Sequence, residues 1–149
     1  MFKPSSPGPV VLLEAGFSLA VPDAIVACTI EEIQDNNGIT NDGVVGAATT
    51  WGLLITAIQA AGGPAYQYRQ IDPVDNEDGG APGGNIRQGF LFRTDRGLSF
   101  IDRPGAGSTT ANAVTGSGGT TALQFSPGRI DPLNTAFSTS RKPLAGEFV

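Results

Sequence analysis

The sequence predicts an α+β domain built from short strands, one helix and long glycine-rich loops. Three observations predict it. Residues 44–61 place Val44, Ala48, Trp51, Leu54, Ile55 and Ile58 at helical spacing, and Gly62-Gly63-Pro64 ends the run. Short β-branched or alternating stretches stand on both sides of that helix. The 149 residues include 21 Gly and 11 Pro, well above the average usage of about 7% and 5%, which predicts many turns.

Residues 1–9, rich in Pro, Gly and Ser, read as a flexible leader, and residues 10–20 are apolar without a clear period. Asp23 to Ile30 is a short apolar run that fits a buried strand, ending directly in Glu31 and Glu32. Residues 36–42 are rich in Asn, Asp and Gly and read as a loop in which Asn41 or Asp42 caps the helix. Tyr66 to Ile71 alternates as a strand does, and an acidic loop follows from Asp72 to Gly84. Ile86 to Phe92 is the next strand, with Leu98 to Ile101 joined to it by a hairpin through Thr94 to Gly97. Residues 104–120 are mostly Gly, Ser, Thr and Ala and read as a mobile excursion. Leu123 to Phe125 and Leu144 to Phe148 are the last strands. The chain stops at Val149 in mid-strand, which is read as the edge of a truncated domain.

Composition narrows the chemistry. Hydrophobic residues make up 40% of the chain and charged ones 15%, enough for a buried core and against wholesale disorder. The net charge of −5 argues against a passive nucleic-acid binder, which works by neutralising phosphates. It leaves room for carboxylates that bind a cation facing phosphate. There is no histidine, which excludes a Ser-His-Asp triad, a His general base and every His-ligated zinc site. A metal here must be held by oxygen, which points to Mg²⁺, Mn²⁺ or Ca²⁺. The single Cys28 reads as a core thiol and forms no internal disulfide. No stretch is long enough to span a bilayer, and no membrane partner is expected.

The run Glu31-Glu32-Ile33-Gln34-Asp35-Asn36 is the sharpest feature. Strand alternation puts Glu31 and Glu32 on opposite faces, so one of them points into any given site. A metal-ligand position at a sheet's rim and a solvated strand end are both open on the residues alone. Three more segments follow in order: Tyr66-Gln67-Tyr68-Arg69-Gln70 with its acidic loop, Gly83-Gly84-Asn85-Ile86-Arg87-Gln88-Gly89-Phe90-Leu91-Phe92, and Ser140-Arg141-Lys142-Pro143-Leu144.

Together these segments resemble the endonuclease/exonuclease/phosphatase family, the group that includes deoxyribonuclease I, and are most similar to its bacterial secreted nuclease-like branch. The resemblance covers roughly residues 22–149 and leaves 1–21 as an unmatched leader. It implies a partial deoxyribonuclease I-like sandwich, of which this chain supplies one mixed β-sheet with a helix packed on it. It implies that Glu32 is the catalytic Mg²⁺ (or Mn²⁺) ligand. Gln34, Asn85, Arg87 and Arg141 fall where the family places substrate- or phosphate-side groups, and the substrate is nucleic acid or another phosphodiester. An extracellular location is suggested by the same resemblance.

The departures also carry expectations. The family's His–Asp pair, its second-strand Asp-x-Asn and its closing Asp-His lie beyond the matched segment, so the chain is expected to be inactive alone. A complementary C-terminal half or self-association is expected to cover an apolar sheet face left bare. Cys28-Thr29-Ile30 stand as additional residues before the glutamates, relative to the family's Pro-Asp-Ile-Val-Ala-Leu-Glu-Glu, which leaves the register at Glu32 open. Two other functions remain in view: a non-catalytic truncated module for protein interaction, and a β-rich extracellular Ca²⁺-binding module using the Asp72 to Asp78 loop.

Overall fold

A computed structural model describes residues 26–149 and the pair Val10–Val11. The rest of the expected leader and the start of the first expected strand, residues 1–9 and 12–25, lie outside the described residues. What is described is a small α+β domain: a helix, several small antiparallel sheets, and loops. In chain order the strands are β1 (Val10–Val11), β2 (Ala27–Ile33), β3 (Gln67–Gln70), β4 (Arg87–Phe92), β5 (Val114–Thr115), β6 (Ala122–Leu123), β7 (Gly128–Arg129), β8 (Leu144–Ala145) and β9 (Glu147–Phe148), with α1 (Ala48–Ala60) between β2 and β3.

The largest sheet has the order β2-β4-β3. After the 71–86 loop the chain runs back between β2 and β3, so β4 is antiparallel to both. The expected mixed sheet is therefore an antiparallel one. Strand β4 is buried on both faces. Leu91 joins the helix-side core with Ile33, Ala47 and Trp51, while Phe90 and Phe92 join the opposite core with Ile71, Leu144 and Phe148. This is the period-2 alternation of a central strand.

On the first face, α1 packs through Trp51, which is fully buried, with Leu54, Ile55 and Ile58 partly buried beside it. The indole stacks on Tyr68 at 4.9 Å between ring centres, and Nε1 donates to Gln70 Oε1 at 2.6 Å. Gly89 is required below it, because a Cβ there would overlap the indole ring. The helix starts at Ala48 rather than Val44, and its cap is not local. Thr49 N–H donates to Asn36 Oδ1 at 2.7 Å, and Asp42 instead accepts from Val44 N–H. Its end falls where the glycines predict. Gly62, at φ +83, donates to Gln59 O and Gly63 donates to Ile58 O, the paired bonds that close a helix on a left-handed glycine.

On the second face lies a phenylalanine cluster. Phe148 meets Phe90, Phe92 and Phe100 edge-on, with Phe148–Phe100 centres 5.0 Å apart. Each of the buried rings Phe90, Phe92 and Phe148 contributes about 1.5–3 kcal/mol. The segment around Phe100 does not form the expected hairpin with β4. It pairs with the chain's end: Ser99 and Val149 exchange backbone bonds at 2.8 and 2.9 Å, and Ile101 N–H donates to Glu147 O. On the other edge of β9 runs β1. Both faces of β4 are thus packed by the chain's own residues.

The Gly/Ser/Thr-rich excursion is also tied in. Asn112 donates from Nδ2 to Phe125 O and accepts from Phe125 N–H at Oδ1, and β5 pairs with β6. Glu147, 2% exposed, reaches the same layer and binds Leu123 N–H and Arg103 Nη1.

Arg69 joins β3 to the second layer. Its Nε and Nη2 donate to the two Asp102 oxygens at 2.7 Å each, and it lies 5.6 Å from the centres of Phe92 and Phe100. The bonds from Arg69 hold the Asp102 carboxyl below its ordinary range, with burial opposing. A depressed folded pKa adds stability that is fully present above the ordinary carboxylate range and lost as pH falls through the folded value. Asp102 is 50% exposed, so Asp102→Asn is expected to cost only about 0.2–1 kcal/mol at pH 7. The difference from wild type should shrink towards pH 2, as read from urea midpoints.

Candidate functional site

The glutamates stand at a break in the β2–β4 ladder. Pairing runs from Ala27–Phe92 to Ile30–Gly89 and resumes at Ile33–Arg87, so Glu31 and Glu32 together face Gln88. One extra residue opposite a single partner is a β-bulge, which re-aims side chains. Cys28 and Ile30 face the helix, so strict alternation would send Glu32 into that apolar core and Ile33 away from it. The bulge instead returns Ile33 to the core and leaves both glutamates exposed. Glu32 takes φ +61 to do so, a left-handed conformation that costs a non-glycine residue about 1–2 kcal/mol. Its side chain is 60% exposed, and Oε1 lies 3.1 Å from Arg141 Nη1.

The rest of the run is divided between surface and scaffold. Gln34 is exposed, its amide lying close to Gly38 and Gly84. Asp35, 2% exposed, accepts from Asn37 N–H and Asn85 Nδ2, while its carbonyl accepts from Thr50 Oγ1. Asp35 and Asn36 therefore dock the run onto the start of α1. This role escapes local sequence reading because the bonded partners lie 13 to 50 residues away.

Arg141 is held from its neighbour. Lys142 Nζ donates to the carbonyls of Glu77, Phe137 and Ser140 at 2.7, 2.5 and 3.1 Å. It also lies 3.6 Å from Asp78 Oδ1, and Asp78 Oδ2 lies 2.7 Å from Arg129 Nη2. Gly79 packs so closely on Thr139 that a Cβ would fall 2.6 Å from Thr139 O. The acidic loop thus braces the segment that presents Arg141.

Asn85 and Arg87, expected on the substrate side, are both buried. Asn85 is 2% exposed. Its Nδ2 donates to Asp35 Oδ2, Val44 O and Asp75 Oδ1, and its Oδ1 accepts from Asn76 N–H. The Arg87 side chain is fully buried, with Nη1 on Asp72 Oδ1 at 2.7 Å and Nη2 on Asn85 O at 2.6 Å. Burial pulls its pKa below the ordinary value, and Asp72, Asp35 and Asp78 oppose that shift. Its Nε has no hydrogen-bond partner. The reason is register: Arg87 pairs with Ile33 just past the bulge, on a strand buried on both faces. These two residues anchor the bulge from beneath.

Asp72 goes to Arg87, Asp75 to Asn85, and Asp78 to Arg129 and Lys142, so the carboxylates diverge to separate partners. Among the described residues no group of three or more carboxylate, His or Cys side chains converges on one point. What the rim offers is one exposed carboxylate beside a guanidinium. A single carboxylate supplies one of the six oxygens that Mg²⁺ or Mn²⁺ takes. No protein-family model, curated protein or solved structure matches the chain.

Proposed function

We propose that the Glu32–Arg141 rim is the cation- and phosphate-facing part of a phosphodiesterase site of the endonuclease/exonuclease/phosphatase kind. The observation that carries this reading is the position of Glu32. It is lifted out of the sheet by a bulge, in a conformation unfavourable to glutamate, and set 3.1 Å from Arg141. Strain of this sort persists where the surroundings enforce it, and it concentrates at functional sites. The bulge also fits the resemblance. Three additional residues, Cys28-Thr29-Ile30, invert the strand's alternation relative to the family pattern, and a one-residue bulge inverts it back.

In this reading Glu32 holds a divalent cation, Mg²⁺ or Mn²⁺, Arg141 neutralises a phosphate oxygen, and the exposed amide of Gln34 lies on the same run. The cation would supply stabilisation of the charge that develops on oxygen as a phosphodiester is hydrolysed. Asn85 and Arg87 serve as scaffold. The two layers about β4 are taken as the front of a deoxyribonuclease I-like sandwich. The chain has no histidine, so the family's His–Asp pair and closing Asp-His have no counterpart in it. It is a binding half-site that does not turn over alone.

Calorimetric titration with Mn²⁺ tests this. Wild type is expected to bind weakly, on the order of 10⁻⁴–10⁻³ M as cation sites with few carboxylates do, and Glu32→Gln to weaken binding at least tenfold. Equal binding by the two proteins rejects the reading.

A further inference from the structure

We infer that Asn37 is a site of spontaneous covalent modification: its amide converts to a carboxylate through a cyclic imide closed with Gly38, and the new charge opens the loop between β2 and α1. The inference is independent of the proposed function. Of the seven asparagines in the chain, Asn37 alone precedes a glycine. A side chain on the following residue shields its backbone nitrogen from attack, and glycine has none. The fold leaves the reacting groups open. Asn37 is exposed, and among the described residues the Gly38 N–H donates no hydrogen bond, so the nucleophile is not engaged. Even a Cβ on Gly38 would meet only Gln34 Oε1, at 3.9 Å, which leaves room for the ring. What restrains the Asn37 amide is one exposed bond, from Nδ2 to Asp42 Oδ2 at 2.8 Å. Other asparagines are protected. Asn85 is 2% exposed, and Asn112 holds Phe125 at both amide atoms. The nitrogen after Asn36 is bonded to Asp35, and the nitrogen after Asn76 to Val74 O.

The step needs only water. The Gly38 nitrogen loses its proton and bonds to Asn37 Cγ, the Cγ–Nδ2 bond breaks, and Nδ2 leaves as ammonia. Water then opens the imide at either carbonyl, giving aspartate or isoaspartate. Where an amide donated to Asp42, a carboxylate now faces it, and like charges repel. Asp42 also holds Val44 N–H, and Asn36 caps α1 through Thr49 N–H, so the repulsion acts at the start of the helix.

The test is incubation of the folded chain in mildly alkaline buffer, followed over time by mass-spectrometric peptide mapping. Asn37 is expected to convert before any other asparagine, and to yield isoaspartate together with aspartate. Gly38→Ala is expected to lose the conversion over the interval in which half of the wild type reacts. Alanine is strained at the φ of +74 found there, so Asn37→Gln serves as a second variant. It keeps an amide but must close a larger ring, and it too is expected to lose the conversion. Another asparagine converting first, aspartate forming without isoaspartate, or conversion only after unfolding in urea overturns the assignment. The effect on the loop is read separately. Asn37→Ser loses the bond to Asp42 without adding charge, whereas Asn37→Asp loses it and adds one. Asn37→Asp is expected to have the lower urea midpoint of the two, with the gap closing in high salt as the repulsion is screened. Equal midpoints overturn the opening of the loop and leave the modification standing.

Discussion

Asp78→Ala is expected to destabilise the protein by about 3–5 kcal/mol, in metal-free buffer as much as with calcium present. The side chain of Asp78 is 2% exposed and stands between two cations that are themselves 3% and 9% exposed, Arg129 and Lys142. Removing one member of a buried charge cluster leaves the others uncompensated, and the cost of that desolvation exceeds whatever the intact pair contributes. Both cations retain carbonyl partners. Arg129 keeps Ser108 O and Ile71 O, and Lys142 keeps three carbonyls, but carbonyl dipoles do not cancel a net buried charge. Asp78→Asn preserves the shape and should lose nearly as much. Urea denaturation in EDTA measures it. Loss of stability that appears only when calcium is added would favour the calcium-loop reading instead.

Trp51→Ala is expected to cost a comparable 3–5 kcal/mol, the range for truncating a fully buried large aromatic. Three contacts go together: the stack on Tyr68, the bond to Gln70, and the fit over Gly89. Trp51→Phe keeps a ring in place and loses mainly the Nε1 bond, so about 1–2 kcal/mol is expected from it. For a domain whose whole stability is about 5–15 kcal/mol, the alanine variant sits near the folding threshold. Because Asn36 caps α1 and Thr50 bonds the Asp35 carbonyl, loosening the helix also loosens the run that follows Glu32. An unchanged urea midpoint for Trp51→Ala contradicts this account of the core.

What the sequence disclosed and what it concealed follow one physical division. Local signals held: the Trp51-Leu54-Ile55-Ile58 stripe, the Gly62-Gly63 stop, and the strand that ends at Phe92. Signals that depend on distant partners did not. The start of α1 was misplaced because its cap is Asn36, on another element. Segment 98–101 alternates as a hairpin strand would, yet it pairs with β9, and local alternation carries no information about which strand lies alongside. Residues 104–120 look unanchored by composition, while one side chain, Asn112, clips them to Phe125 at both amide atoms. Arg87, Arg129, Lys142, Asp78 and Glu147 look like surface residues, since charged side chains are rarely buried unless paired, and only the fold reveals the pairings.

The site divides in the same way. The structure sets Glu32, a carboxylate after a strand, beside Arg141 of the Ser140–Leu144 segment. Asn85 and Arg87 were legible as polar groups beside glycines, but their burial and internal bonds make them supports. The left-handed backbone at Glu32 had no sequence signal, because glutamate is not a residue that marks such a turn. It arises from the mismatch between β2 and β4, which only the paired register exposes.

Glu32, lifted by the bulge, is proposed to receive a divalent cation next to Arg141. Paramagnetic broadening of backbone amide signals by substoichiometric Mn²⁺ locates such a cation residue by residue. The amides around Glu31–Ile33 and Ser140–Lys142 are expected to broaden together, and Glu32→Gln is expected to abolish both effects. Broadening centred on Asp72–Asp78, or unchanged in Glu32→Gln, contradicts it.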